Sequence, residues 1–292
     1  MDFKKYLDCN SKKLLTVENI SNSIYETLLL NSRSPVLIKN GAENWPAMKK
    51  WSLDFFKSQD GAENVKVFVE KGNVMQNETQ FERVSFCDYL NLLEKPSQNH
   101  LGLIPYLSVF EAFSIFSHLN DDVDFSMLTR YRFKNKMKCW FGPKGTVTGY
   151  HIDWSDNVLA QIKGRKLVKL VSPSQSKYMY PSKKYDPGSL LSQVDSDNYN
   201  ENDYPLFSKV NSFYVVLNPG DMLYIPRGWW HYVRALDSSI SVNCFSSGLK
   251  TMLLDSPREK IKRKLHDLGL YGADSTLVSI SSFHHTKRDN LQ

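Results

Sequence analysis

The stretch that decides the fold is Asn157-Val-Leu-Ala-Gln-Ile-Lys-Gly-Arg-Lys-Leu-Val-Lys-Leu-Val-Ser-Pro173. Two apolar runs flank a Lys163-Gly164 break. The first, residues 157–162, reads as a strand. Gly164 tolerates the positive φ of a tight hairpin, and residues 165–171 read as the returning strand. The same texture continues on both sides. Trp140-Phe-Gly-Pro-Lys-Gly145 is a strand running into a turn. Residues 213–217, 222–225, 230–234 and 239–245 are further short apolar runs separated by Gly, Pro and Asn. Strands this short and this closely spaced predict an antiparallel sandwich or barrel.

Working outward, the chain divides into three parts. Residues 1–100 form an α/β lead-in packed on the core. Within it, Pro35-Val-Leu-Ile38 and the alternating Val65-Lys-Val-Phe-Val69 are strand candidates, and Ser52 is the expected N-cap of a helix that begins after Trp51. Residues 101–250 are the β core. Residues 251–292 are a C-terminal helix and a polar tail. Ser256-Pro-Arg-Glu259 predicts a capping box, Ile261, Leu265 and Leu268 follow at helical spacing, and Gly269 predicts the stop. That apolar stripe needs burial, either on its own barrel or on a second copy of the chain.

Composition excludes several classes. Of 292 residues, 41% are hydrophobic and 13% aromatic, which suits a filled β core and not a disordered chain or a coiled coil. No apolar run reaches the roughly 18–20 residues that span a bilayer, so no membrane partner is expected. A net charge of +6 is weak evidence for nucleic acid. The four cysteines are scattered, without a CxxC pair, which argues against a zinc ribbon or a disulfide framework and for a cytoplasmic setting.

Two of the seven histidines stand in unusual company. His151 opens His151-Ile-Asp153 after a glycine-rich turn, and His231 follows Ile225-Pro-Arg-Gly-Trp-Trp230. Side chains at i and i+2 of a strand share a face, so His151 and Asp153 would project together, and His231 would join them from a facing strand. Two imidazoles and one carboxylate are the ligand set of non-haem Fe(II) oxygenases. A His-x-Asp spacing also arises by chance, and a histidine after two tryptophans is often only packed. Lys166 would share a face with Val168 and Leu170. A buried ammonium there needs an anion, while the alternative is a solvated hairpin lysine like Lys163 and Lys169. Thr148 and Tyr106 offer hydroxyls nearby.

The blocks FGPKGTVTGYHID (141–153), NVLAQIKGRKLVKLVSP (157–173), NPGDMLYIPRGWWHYV (218–233) and SISVNCF (239–245) resemble, in that order, the JmjC (cupin-like) 2-oxoglutarate oxygenases. The segment from His151 to Lys166 is most similar to the hypoxia-inducible-factor asparaginyl hydroxylases, and YPLFSK (204–209) to the tRNA-wybutosine hydroxylases. PVLIKNGAENWPAMKKWS (35–52) resembles the family's lead-in. The resemblance implies a mainly β fold with flanking helices, built on a double-stranded β-helix (jelly-roll or cupin) core. It implies His151, Asp153 and His231 as Fe(II) ligands, and Lys166 with Thr148 and Tyr106 on the cosubstrate 2-oxoglutarate. Asn157 and Asn243 match family asparagines near metal and cosubstrate; for Asn243 a purely structural role in the strand is an equal alternative. Gly149, where proline is common, and Phe245, where tryptophan is, depart from the pattern and border the cavity.

The activity so implied is hydroxylation of a C–H bond with O2 and 2-oxoglutarate consumed and succinate and CO2 released. The expected substrate is a protein or peptide side chain, with a small molecule or a modified tRNA base as alternatives. A non-catalytic 2-oxoglutarate-binding module is the reading from another class. RNA would be met by Arg258, Lys260, Lys262, Arg263 and Lys264 with Lys183-Lys184, although such a face is usually only solvated. A homodimer through the C-terminal helix is a further expectation.

Overall fold

The two halves of the 157–173 stretch lie in opposite sheets. A computed structural model describes residues 12–14, 16–18, 34–71, 80–94, 104–126, 134–183, 185, 189–248, 253 and 255–271. Among these residues, one sheet has six strands in the order β1 (Lys12–Lys13), β12 (Ser212–Leu217), β10 (Lys166–Val171), β14 (Trp230–Ala235), β8 (Val147–Asp153) and β11 (Ser189–Leu191). The other has nine, in the order β2 (Thr16–Glu18), β3 (Val36–Lys39), β13 (Met222–Ile225), β9 (Asp156–Lys163), β15 (Ser239–Ser247), β7 (Lys134–Gly142), β6 (Pro105–Phe110), β4 (Lys66–Lys71) and β5 (Gln80–Ser85). The pairings are antiparallel except β1 with β12 and β2 with β3. The chain switches sheet at each step from β7 to β10 and again from β12 to β15, which is the winding of a double-stranded β-helix.

That winding corrects the expected hairpin. Residues 163–164 form a corner from β9 to β10, and the two strands do not pair with each other. β9 lies between β13 and β15, and β10 between β12 and β14. The turn residue behaves as glycine must: φ is +74 at Gly61 but +67 at Gly164, where an added Cβ would also sit 2.1 Å from the Ser238 carbonyl oxygen. Gln161 holds the corner by donating from Nε2 to the carbonyls of Lys163 (2.7 Å) and Gly164 (3.1 Å). Local sequence announces a break there but not the partner of each strand.

The lead-in behaves as its sequence predicts. The strand expected at 65–69 is β4 and that at 35–38 is β3. Ser52 caps the helix Leu53–Lys57 by accepting from Phe55 N at 3.0 Å. Trp51 is fully buried and donates to Asp122, which also binds Lys50 at 2.6 Å. Phe56, Phe86, Phe110 and Phe141 meet mostly edge to face and fuse the lead-in to the outside of the nine-stranded sheet. Between the sheets lies a second core of Leu37, Leu159, Val168, Leu170, Leu217, Leu223 and Ile225.

The C-terminal helix spans Ser256–Asp267 and stops at Gly269, φ +72, as expected. The N-cap falls one residue before the expected Ser256. Asp255 occupies the N-cap without a side-chain cap bond, and Glu259 pairs with Lys262 at 2.8 Å instead. Met252, Leu254, Lys184 and the polar tail lie outside the described residues.

Candidate metal and cosubstrate site

β8 and β14 are neighbours in register at His151 and His231. Alternation along β8 turns His151 and Asp153 to the space between the sheets, while Tyr150 and Ile152 enter the apolar layer outside. A ligand atom from each of His151, Asp153 and His231 lies within 4.8 Å of the other two. The imidazole centroids are 4.0 Å apart. Asp153 oxygens stand 3.4 Å from His231 Nε2 and 4.0 Å from His151 Nε2.

The backbone sets both rings. His151 Nδ1 lies 2.9 Å from the Gly149 carbonyl, and His231 Nδ1 3.0 Å from that of Trp229. Each Nδ1–H donates to a carbonyl outside the cluster, which leaves each Nε2 turned toward it. Burial, with the neighbouring His231, lowers the pKa of His151 to about 4, so this ring is neutral near pH 7. Burial alone would raise the Asp153 pKa, but the hydrogen bond and charge of His231, then His151 and Asn157, hold it below the usual carboxylate value. Two imidazole nitrogens and a carboxylate converging on one point are a donor set for a divalent cation.

The amides continue this order. Asn157 Nδ2 donates to Asp153 Oδ2 at 3.4 Å, and Asn243 Nδ2 donates to Asn157 Oδ1 at 2.8 Å. Asn243 therefore orients Asn157, and Asn157 touches the carboxylate.

Lys166 lies further down the same interior. It is opposite Ala235, four residues past His231 on β14, or about 13 Å at Cα. Its side chain is buried, and so is that of Lys169 three residues on, so neither is a solvated hairpin lysine. Lys166 Nζ donates to Ser241 Oγ at 2.6 Å and sits 6.0 Å from the centre of the Tyr106 ring. Burial pulls its pKa down to about 7.

Tyr106 and Thr148 meet in a hydrogen bond that opposes, without cancelling, the upward push of burial on the tyrosine pKa. Strict alternation would put Thr148 on the opposite face from His151. The register of β8 against β14 slips between His231 and Val233, so that Thr148 faces Val233. This bulge returns Thr148 to the interior. Gly149, the residue that departs from the family pattern, lies within the bulge. Phe245, the other departure, packs on Trp140 at 5.9 Å beside Tyr106.

The eight residues expected from sequence fall into two contacting groups, His151, Asp153, His231, Asn157 and Asn243 in one and Lys166, Tyr106 and Thr148 in the other. Ser241 was missed, although its place two before Asn243 on β15 puts both on one face. The carbonyls of Gly149 and Trp229 carry no side-chain signal.

A family model described as a cupin-like domain matches residues 22–248. Lysine-specific demethylase JMJ30 of Arabidopsis thaliana is 34% identical over 82% of this chain and 56% of its own. Lysine-specific demethylase 8 of Xenopus tropicalis is 33% identical over 72% of this chain and 47% of its own. Jumonji C domain-containing protein 5 of Drosophila melanogaster is 32% identical over 75% of this chain and 56% of its own. The chain spans about half the length of these curated relatives. Two of the three are named as lysine-specific demethylases and the third for its Jumonji C domain.

Proposed function

The chain belongs to the cupin-like domain family, and from that premise we propose that it is an Fe(II)- and 2-oxoglutarate-dependent oxygenase. The observation that carries the proposal is the pairing of two centres in one interior. His151, Asp153 and His231 converge on a cation site, and Lys166 is a buried ammonium that, among the described residues, donates to a single neutral hydroxyl. A dicarboxylate that reaches from one to the other supplies the missing charge to Lys166.

When bound, ferrous iron with 2-oxoglutarate supplies the oxidising power: O2 and 2-oxoglutarate are consumed, succinate and CO2 leave, and one oxygen atom enters a C–H bond. The protein's part is positioning. His151 and His231 present Nε2, Asp153 presents its carboxylate, and Asn157 with Asn243 fixes that carboxylate's orientation. Lys166 holds the distal carboxylate, with hydroxyls from Tyr106, Thr148 and Ser241 around it. Trp140 and Phe245 form an apolar wall that limits water near the reacting centre.

The substrate we propose is a protein side chain. Support comes from the relatives, two of which are named for action on lysine. Hydroxylation of an N-methyl carbon would release formaldehyde, whereas hydroxylation of a backbone-linked carbon would leave a stable product. Incubation with iron, ascorbate and peptide libraries distinguishes these by mass, a gain of one oxygen or a loss of one methylene. Succinate release that depends on both iron and 2-oxoglutarate is the expected result. Failure of the iron-loaded protein to bind 2-oxoglutarate at all overturns the reading.

A further inference from the structure

The C-terminal helix sorts its side chains the opposite way from the rest of the molecule. Its apolar residues face outward. Ile261 and Leu268 are each 62% exposed and Leu265 36%, and Leu253 and Leu270, on either side of the helix in sequence, are exposed at 59% and 73%. Its half-buried residues are polar: Glu259, Lys262, Arg263 and His266. Tyr185 lies against the His266 ring at 5.0 Å, and its hydroxyl approaches the Glu259 carbonyl at 3.5 Å. Asp255, at the start of the helix, binds Arg227 beside the His231 turn.

The geometry around the row is specific. On a 3.6-residue helix, Ile261, Leu265 and Leu268 fall within a wedge of about 60°. Arg258 borders the wedge on one side, and Lys264 and Lys260 on the other, all three exposed. The helix holds five basic residues against two acidic ones. Exposed leucines and isoleucine set in one row are costly in water, and cations along both edges select an anionic partner.

We propose that this helix is a docking surface for an anionic lipid bilayer. The row stands on the outer curve of an exposed helix, so a protein partner would have to bring a matching groove, whereas fluid lipid closes around a ridge. A second copy paired through the same row would set basic edge against basic edge. Helices of this kind lie in the headgroup layer with leucines inserted and lysines reaching out to phosphate. The sequence reading expects no membrane because no segment spans one; lying on a surface needs no span.

The test uses the full chain and does not depend on catalysis. Co-sedimentation with phosphatidylcholine vesicles containing about 30% phosphatidylserine is compared with pure phosphatidylcholine. Binding to the mixed vesicles alone, and release at high salt, is expected. Lys260→Gln and Lys264→Gln should each weaken it roughly fivefold, at about 1 kcal/mol per basic residue near the surface. Ile261→Asp should abolish it. These positions are exposed, and an unchanged melting curve for each variant confirms the fold. Absence of binding to mixed vesicles overturns the proposal, as does binding that all three variants retain. A dimer in sedimentation equilibrium that Ile261→Asp dissolves also overturns it, in favour of self-association.

Discussion

Lys166 and Lys169 lie three residues apart on β10, one on each face, and both are buried. Their surroundings differ in kind. Lys169 Nζ stands 4.7 Å from the centre of the Tyr232 ring and 5.7 Å from that of Tyr150, with Ser196 Oγ at 3.4 Å. Next to it, Asp197 accepts from the Tyr232 hydroxyl and from Arg234. The outer face therefore surrounds its ammonium with two aromatic faces and the Ser196 hydroxyl, with Asp197 bound to the adjoining Tyr232. Lys166 has a hydroxyl and a more distant ring, with no carboxylate in contact among the described residues, and its pKa is drawn down to about 7 by burial. A cation built into a fold acquires its counter-charges from the fold. One built for a ligand is left to acquire them on binding.

If the two faces divide this way, variants should separate function from stability. Asp153→Ala, on the inner face, should lower Mn(II) affinity and iron-dependent succinate release by more than about 100-fold while leaving the urea midpoint almost unchanged. A large loss of stability with retained metal binding would erase the distinction.

Asp197→Ala probes the outer face. Its carboxylate serves Tyr232 and Arg234, and Asp197 and Arg234 side chains are 9% and 14% exposed. Removing it leaves a largely buried guanidinium without this partner, at a cost of about 3 kcal/mol in urea unfolding. Binding of 2-oxoglutarate by the folded fraction should stay within about twofold of the parent.

How much of this contrast was legible follows from where each partner comes from. The inner residues were readable because they sit in short motifs with period-2 spacing: His151 with Asp153, Lys166 with Val168 and Leu170. The outer burial of Lys169 was not, since its cover includes Ser196, distant in sequence and next to it only after folding. Thr148 was named by resemblance, but its placement needs a bulge that Gly149 merely permits. The corner at 163–164 reads as a hairpin because local sequence records a turn and not the sheet each strand joins. The C-terminal helix was found with its length and stop intact, yet amphipathicity gives a stripe without saying which side the protein covers.

Lys166→Met sharpens the comparison from within the strand. Loss of the charge-assisted contact should weaken 2-oxoglutarate binding by roughly 10- to 100-fold, at about 1.5–3 kcal/mol, measured by calorimetry on the Mn(II) form. The same change removes an uncompensated buried cation, so the ligand-free variant should unfold at higher urea than the parent at pH 6.

The smallest effect is also the most specific. In the folded chain the Lys166 pKa is about 7, against 10.5 for an ordinary exposed lysine. Below about pH 7 both folded and unfolded states carry the proton, and the burial penalty is present in full. Between about 7 and 10.5 the unfolded state holds the proton and the folded state has released it, so ligand-free stability rises with pH at up to about 1.4 kcal/mol per unit. Lys166→Met should flatten that part of the curve. Binding reverses the shift, because a carboxylate beside Lys166 favours its ammonium form. At pH 7 about half of the sites then take up a proton, seen as a dependence of the calorimetric enthalpy on the ionisation heat of the buffer. Above pH 8 affinity should fall as the neutral amine must be protonated to bind. The outer lysine makes no contact with the ligand, so Lys169→Met should leave both the proton count and this pH profile in place, and a proton count lost in that variant instead would assign the ligand-linked cation to the wrong face of β10.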